Sequence, residues 1–466
     1  TSLGAVVLAA GQGVRMKSAR PKVLHAVAGR PMIAWVLGAL RDAGADRIVV
    51  VVGHGAEAVR DALPPDVEVA LQERQLGTGD ATRVGLAALD PACDTVLVAC
   101  GDTPLVSPEL LRRLVEEHRS EPRAATIVTA VVPDAGAYGR VVRDAGGRVA
   151  EVVEVRHATP EQLAIGEYNT GLFAFDRAAL AAALEGLERH GPDGEVYLPD
   201  ALPRLDGPVG ALVAPDPEET SGVNDRVDLA ACEAAVQRRL RAELMRGGVT
   251  MPDPGAVYLD AGVRVGADTV LLPGTHLRGD TAIGGGCVIG PDAVVVDSRI
   301  GEGCEVVSAH LVQAELAEGC RAGPFAYLRP GTRLERGARA GTYVELKNSR
   351  LGPGAKVPHL SYVGDADVGE DTNIGAGNIT ANYDGFRKHR TNIGARVRTG
   401  SDCVFVAPVR VGDDAMTGAG SIITDDVPEG ALGIARARQS VIEGFTARAA
   451  ARAREAAERA RGGDTR

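Results

Sequence analysis

Ile283-Gly-Gly-Gly-Cys-Val-Ile-Gly-Pro-Asp-Ala-Val-Val-Val-Asp-Ser-Arg-Ile-Gly301 decides the fold of the second half of this chain. An aliphatic residue followed by glycine returns at Ile283, Ile289 and Ile300. The same pair stands at Val265-Gly266, Leu351-Gly352, Val363-Gly364, Val368-Gly369, Ile374-Gly375, Ile393-Gly394 and Val411-Gly412. A six-residue period kept in phase from about residue 263 to 425 is the signature of a parallel β-helix. Each hexad supplies one flat face, with its aliphatic residue in a narrow core. The glycine is expected to allow the turn between faces. A Gly-rich disordered segment would not keep its aliphatic positions in phase. Residues 380–392 break the period with Thr-Ala-Asn-Tyr-Asp-Gly-Phe-Arg-Lys-His-Arg-Thr-Asn. An insertion in a solenoid maps to a loop on one face, often the binding face.

Residues 1–225 read differently. Val6–Ala10, Arg47–Gly53, Thr95–Ala99 and Thr126–Val131 are apolar runs of strand length, separated by helical patterns at Met32–Ala43, Thr78–Leu89 and Pro108–His118. The alternation predicts a parallel sheet with helices on both faces, binding its ligand beyond the carboxyl ends of the strands. Residues 226–248 form a helical pattern closed by Gly247-Gly248, read as a connector. The predicted organisation is therefore an α/β domain (1–225), a helical linker (226–248), a β-helix domain (249–445) and a helical tail (446–466).

Composition narrows the function. The 466 residues carry a net charge of −11, which argues against a general nucleic-acid binder. No run approaches the 18 apolar residues of a membrane span. The seven cysteines show no metal spacing, and free thiols in a reducing cytoplasm are the simplest account. The opening Thr-Ser-Leu-Gly-Ala-Val-Val reads as a buried strand and not as a signal peptide. Only five lysines occur (17, 22, 347, 356 and 388) among 51 basic residues.

Two places carry chemistry. Strand Val6–Leu8 runs into Ala9-Ala10-Gly11-Gln12-Gly13-Val14-Arg15-Met16, and then Pro21-Lys22. Small residues after a buried strand let backbone N–H groups approach a phosphate, and Arg15 and Lys22 add fixed positive charge. Two absences argue against a dinucleotide fingerprint: its third glycine is missing, and the second strand ends Gly53-His54 without an acid. Asp102 follows the strand Thr95–Ala99 and suits Mg²⁺ beside phosphates; a turn aspartate is the alternative. In the β-helix, His359 interrupts a hexad. Asn373, Asn382, Tyr383 and Lys388 lie within two turns of it, with Arg329 and Lys347 slightly earlier. Acyl transfer to an amine needs a base, and histidine is the residue best suited.

The cradle motif resembles the sugar-phosphate nucleotidyltransferases, and the hexads resemble the left-handed β-helix acyltransferases. Both on one chain, with Gln75-Leu-Gly-Thr-Gly79 and His359-Leu-Ser-Tyr-Val-Gly364, resemble one bacterial family over roughly residues 4–445. It is the family of bifunctional N-acetylglucosamine-1-phosphate uridyltransferases and glucosamine-1-phosphate N-acetyltransferases. The resemblance implies a Rossmann-like nucleotidyltransferase domain and a left-handed parallel β-helix. It implies that Leu8, Ala10, Gly11 and Gly101 hold the uridine nucleotide, with Gln72, Gly77 and Thr78 at the uracil. Arg15 and Lys22 would contact phosphates, and Asp102 and Asn224 would bind Mg²⁺. Gly139, Glu154 and Asn169 would hold N-acetylglucosamine. His359 would be the base of acetyl transfer. Arg329, Lys347, Tyr362, Asn373 and Lys388 would contact the sugar phosphate. Asn382, Tyr383, Ser401, Ala419 and Arg436 would contact acetyl-CoA. UTP and acetyl-CoA are the implied co-substrates, and a homotrimer with shared acyl sites is expected. Cys100 and Asp80 depart from the family's usual tyrosine and histidine. The alternative is a sugar-phosphate nucleotidyltransferase whose β-helix is not catalytic.

Overall fold

The structure, a computed structural model, describes residues 2–187 and 194–462. The chain divides into two compact units, Thr1–Ala282 and Ile283–Arg466.

The first unit is built on one mixed sheet. Its main path runs Val209–Val213, Ala125–Val131, Glu167–Asp176, Cys93–Cys100, Ser2–Ala9, Arg47–Val52, Glu68–Leu71. Strand Ser2–Ala9 is central, parallel to both Arg47–Val52 and Cys93–Cys100. Valine runs such as 49–52 are buried on both faces, as expected of a covered parallel sheet. One expectation is corrected. The sheet is not parallel throughout, because Glu167–Asp176 runs antiparallel between Cys93–Cys100 and Ala125–Val131. Its second half, Phe173–Asp176, fills the core with stacked Phe173 and Phe175. Its first half, ending at Asn169, reaches the same sheet edge as the cradle.

Local signals explain the helices. Helix Pro108–Arg119 starts with Pro108 at its first position, and the Ser107 hydroxyl accepts the Leu110 amide at 3.1 Å. It buries Leu110, Leu111, Leu114 and Val115 against the sheet. The predicted connector is one helix, Arg226–Arg246, capped by Asp225 Oδ1, which accepts the Val227 and Asp228 amides at 2.8 and 3.0 Å. It ends at Gly247-Gly248. No helix among the described residues is long and apolar enough to cross a membrane.

The second unit is a parallel β-helix. Strands of two to four residues stack coil on coil into three sheets. One contains Val294–Val296, His310–Val312, Tyr327–Leu328, Glu345–Lys347, Tyr362–Gly364 and Ile379–Ala381. Successive strands are parallel and in register, as in Tyr327↔Glu345↔Tyr362. Nine of the ten predicted aliphatic heads are buried, from Ile283 to Val411; Val265, in the first unit, is half-buried. Residues 382–390 leave the coil; the ends of the predicted break 380–392 stay in the strands Ile379–Ala381 and Thr391–Ile393. Phe386 stands exposed in the loop, and Tyr383 is bridged to Lys388. Asp384 organises this loop. Its Oδ1 accepts the Phe386 and Arg387 amides and Oδ2 meets the His389 ring, which lowers its carboxyl to about 2. The tail forms helix Phe445–Gly462; residues 463–466 lie outside the described residues.

Most of the hexad glycines do not work as expected. Gly290 (φ +99) is left-handed as expected, but most of the others, Gly301 and Gly352 among them, lack positive φ. A Cβ on Gly301 would stand 2.8 Å from the backbone of Ala317 and Glu318 on the next coil. These glycines let one coil's backbone approach the next, and the turns are made one or two residues later, by residues such as Gly303 (φ +65). Gly301→Ala is therefore expected to cost about 2 kcal/mol or more, because the obstructing atoms are backbone. Gly303→Ala, with open space for its Cβ, should cost about 1 kcal/mol. Urea unfolding followed by circular dichroism measures both; equal costs would refute the close-approach account.

Candidate functional sites

The first site lies at the carboxyl edge of the mixed sheet, where sheet-edge loops converge. A cleft of about 730 Å³ is lined by Leu8, Ala10, Gly11, Lys22, Gln72, Gly77, Thr78 and Asp102, among others. An adjoining cleft of about 410 Å³ shares Leu8, Thr78, Cys100 and Asp102, and adds Arg15, Gly139, Glu154, Asn169 and Asn224. Every predicted nucleotide, sugar and metal residue of this half lines one or both, except Gly101. That glycine sits behind the wall, its amide bonded to the Leu8 carbonyl at 2.9 Å.

Each side chain is aimed by its local backbone. Gly13 (φ +62) and Lys17 (φ +48) bound a single helical turn, Val14–Met16. Met16 is fully buried against Val27, Met32 and Leu105, and so anchors the loop carrying Arg15. Gly77 has φ +93 and backs onto the Val196 backbone, so no other residue fits there comfortably. It opens helix Thr78–Ala88. The buried Gln72 amide donates to the Gly77 carbonyl at 3.2 Å and to Asp80 Oδ2 at 2.8 Å. Asp80, one of the two departures from the family pattern, thus holds a predicted base-reading residue. Cys100, the other, is pushed up to about 12 chiefly by burial, and remains a thiol.

The charges are arranged in pairs. Lys22 Nζ bonds Asp102 Oδ2, and Arg15 donates to Asn224 Oδ1 at 3.0 Å. Each predicted metal ligand is held by one predicted phosphate-binding cation. Asp102 and Asn224 both offer hard oxygen donors to one cleft, a set that fits Mg²⁺, which takes few protein ligands beside water and phosphate. The sugar end is more apolar. Burial raises the Glu154 carboxyl, against the opposing charge of Arg156.

The second site lies on the β-helix beside the loop 382–390. Its centre is a residue that the sequence reading did not single out, Asp365. It is buried, and it accepts hydrogen bonds from Asn348 Nδ2 at 2.7 Å, Lys347 Nζ at 3.0 Å and Asn382 Nδ2 at 2.5 Å. Burial alone would push its carboxyl up, but these three bonds outweigh burial and hold it below the usual range. The Tyr362 hydroxyl accepts Asn382 at 3.4 Å. Lys388 stands against Lys347, which holds its ammonium below the ordinary lysine range. Arg329, paired with Glu345 at 2.9 Å, interacts with both Lys388 and Tyr362. So Arg329, Lys347, Tyr362, Asn382 and Lys388 come together.

The remaining predicted residues are spread around this cluster. His359 ends strand Lys356–His359 on another sheet; its ring is exposed, with no side-chain hydrogen bond among the described residues. Asn373 continues the Lys356 column. Tyr383 is exposed and donates to the Gly385 carbonyl at 2.7 Å. Ser401 and Ala419 lie on successive coils, linked by the Gly420 amide to the Ser401 carbonyl at 2.8 Å, and the exposed Arg436 follows the next coil's contact, Ile422 to Ala435.

Comparison with known proteins agrees with both halves. A MobA-like NTP transferase domain matches residues 5–192. The chain is 49% identical to the bifunctional protein GlmU of Streptomyces avermitilis over 467 residues, covering 97% of each chain. It is 50% identical to that of Thermobifida fusca, covering 98% of this chain and 97% of the other. The chain belongs to the GlmU family. A third relative, GlmU of Heliobacterium modesticaldum, is 48% identical over 95% of this chain and 98% of its own. With the GlmU family comes the left-handed form of the β-helix.

Glu154 gives a prediction with a definite sign. A raised acid binds its proton more tightly folded than unfolded. The stability it contributes is present below about pH 4.5 and is lost as pH rises through the folded value. Glu154→Gln is therefore expected to melt at or above the wild-type temperature at about pH 8, with the gain vanishing near pH 4. Differential scanning calorimetry at both pH values checks this; a gain at low pH only would contradict it.

Proposed function

We propose that this chain makes UDP-N-acetylglucosamine in two steps on separate sites. It acetylates glucosamine-1-phosphate with acetyl-CoA, then joins the product to UTP with release of pyrophosphate. The observation that carries this reading is that both clusters occur on one chain, in a sequence similar end to end to proteins named bifunctional. The working division is a uridyltransferase domain (1–225), a connector (226–248), an acetyltransferase domain (249–445) and a tail (446–466).

In uridylyl transfer the attacking group is an oxygen of the sugar phosphate, already ionised at neutral pH. A new bond forms to the α-phosphorus of UTP, and the bond to pyrophosphate breaks. No general base is required; the work is positioning and charge neutralisation. Arg15 and Lys22 offset phosphate charge, and exchange their present partners Asn224 and Asp102 for it. Those two oxygen donors would hold Mg²⁺, which supplies further charge neutralisation when bound. Gln72, Gly77 and Thr78 read the uracil; Leu8, Ala10 and Gly11 seat the nucleotide; Gly139, Glu154 and Asn169 seat the sugar.

In acetyl transfer His359 takes a proton from the sugar ammonium, so that the free amine attacks the thioester carbonyl. The carbon–sulfur bond breaks and coenzyme A leaves as its thiol. Arg329, Lys347, Tyr362, Asn373 and Lys388 bind the sugar phosphate. Asn382, Tyr383, Ser401, Ala419 and Arg436 bind acetyl-CoA.

We read the working form as a cytoplasmic homotrimer. Phe325, Tyr343 and Leu360 lie on successive coils, exposed, with φ of 57, 55 and 47. The Phe325 and Tyr343 rings stack at 5.2 Å. Large apolar side chains in the left-handed region cost about 1–2 kcal/mol each. A column of them facing water suits a surface that another copy covers. Sedimentation equilibrium at the trimer mass, and loss of it on Tyr343→Asp, is the expected result.

The two activities should separate cleanly. His359→Ala is expected to lower coenzyme A release about 100-fold or more while pyrophosphate release persists. Asp102→Ala is expected to do the reverse, by about 100-fold. Unchanged coenzyme A release in His359→Ala would remove the histidine from its role.

A further inference from the structure

Asp365 has no part in the mechanism above, yet it is the most heavily bonded side chain of the second site. It sits at a corner between two faces, with φ +49, and is 4% exposed. One carboxylate oxygen, Oδ2, accepts from both the Lys347 ammonium at 3.0 Å and the Asn382 amide at 2.5 Å. The other accepts from Asn348 at 2.7 Å. Its backbone is tied in as well. The Asp365 amide donates to the Lys347 carbonyl at 2.8 Å, and its carbonyl accepts the Thr391 amide at 3.2 Å. Lys347 lies one coil before Asp365, on the strand Glu345–Lys347. Asn382 opens the loop 382–390, and the His389 amide closes that loop onto the Asn382 carbonyl at 2.8 Å.

We propose that Asp365 is a positioning residue for acetyl transfer, coupling the sugar-phosphate lysine to the loop that carries the acetyl-CoA contacts. This rests on the acetyl-transfer reading of the site. Lys347 is an ammonium on a flexible stem, and without a fixed acceptor it has many rotamers. A buried carboxylate gives it one direction, and the same oxygen fixes Asn382. Asp365 also supplies the negative charge that allows Lys347 and Lys388 to stand side by side before the phosphate arrives. Arg329 and Tyr362 complete the groups around this pair. A position that orients one residue from each subsite makes the two subsites dependent on one another.

The test is Asp365→Asn in the full chain. It keeps the shape but cannot offer Oδ2 as an acceptor to two donors while also accepting from Asn348. The expected result is a rise of about 30-fold in KM for glucosamine-1-phosphate and a clear rise in KM for acetyl-CoA. Pyrophosphate release from UTP, measured on the same preparation, should stay within about twofold, which shows that the first unit is intact, and an unchanged circular-dichroism melt shows the same of the β-helix. Merely structural damage would add to other losses, whereas a positioning role would not. So Lys347→Met with Asp365→Asn is expected to lose no more than the worse single variant. Additive losses, or unchanged KM values in Asp365→Asn, overturn the proposal. If Asp365→Asn does not accumulate, Lys347→Met alone tests the link, since the coupling requires it to raise KM for acetyl-CoA as well; no change there overturns it. The wild-type chain serves as the reference for the reading beneath. Absence of coenzyme A release by wild type defeats the acetyl-transfer assignment itself, and its presence leaves Asp365 as the only point at issue.

Discussion

A lysine ammonium held on a sheltered aspartate is the interaction on which both sites depend. Lys22 meets Asp102 at the carboxyl edge of the sheet, and Lys347 meets Asp365 at a corner of the β-helix. All four side chains are less than a fifth exposed. Taking such charges out of water is costly unless each is paired, and in the proposed mechanism the pairing leaves a cation that can be handed to an incoming phosphate. In this arginine-rich chain a lysine can be exchanged between partners as a compact point charge. A planar guanidinium would demand a fork-shaped acceptor. Lys388, placed against Lys347, adds a second cation that the pair alone could not hold.

The two folds present these pairs by different means. In the mixed sheet, parallel strands all release their loops at one edge, so residues from the Ala9–Met16 loop, the Gly101–Leu105 turn and the Gly139 region converge there. In the β-helix nothing converges by topology, because each coil repeats the last. Chemistry enters where the repeat is broken. Loop 382–390 is the main break, and the left-handed corner at Asp365 is where it is fastened. Coils can be stacked this tightly only because glycine occupies positions such as Gly301, where a side chain would strike the next backbone.

Much of this was legible in the sequence. The hexad heads, the helix Arg226–Arg246 and the loop at 380–392 follow from periodicity and its interruption. The cradle residues follow from small residues between a buried strand and two cations. Other features were hidden for physical reasons. Strand Glu167–Asp176 is an apolar run like its parallel neighbours, and periodicity carries no direction. Most hexad glycines serve close approach and not a turn, and the sequence does not separate the two because both leave the same letter. Asp365 was invisible because Asp297, Asp371, Asp402 and Asp414 also occupy left-handed corners of the coil. Only burial, and three donors that arrive from residues 17 and 18 positions away, distinguish Asp365.

The measurement closest to the central claim is the pair of activities in Lys22→Arg and Lys347→Arg, each assayed for pyrophosphate and coenzyme A release in one preparation. Charge is kept in both variants, and only the shape of the cation changes. The account predicts a crossed pattern. Lys22→Arg should impair uridylyl transfer and spare acetyl transfer, and Lys347→Arg should do the opposite. Wild-type rates for both reactions in both variants would contradict it.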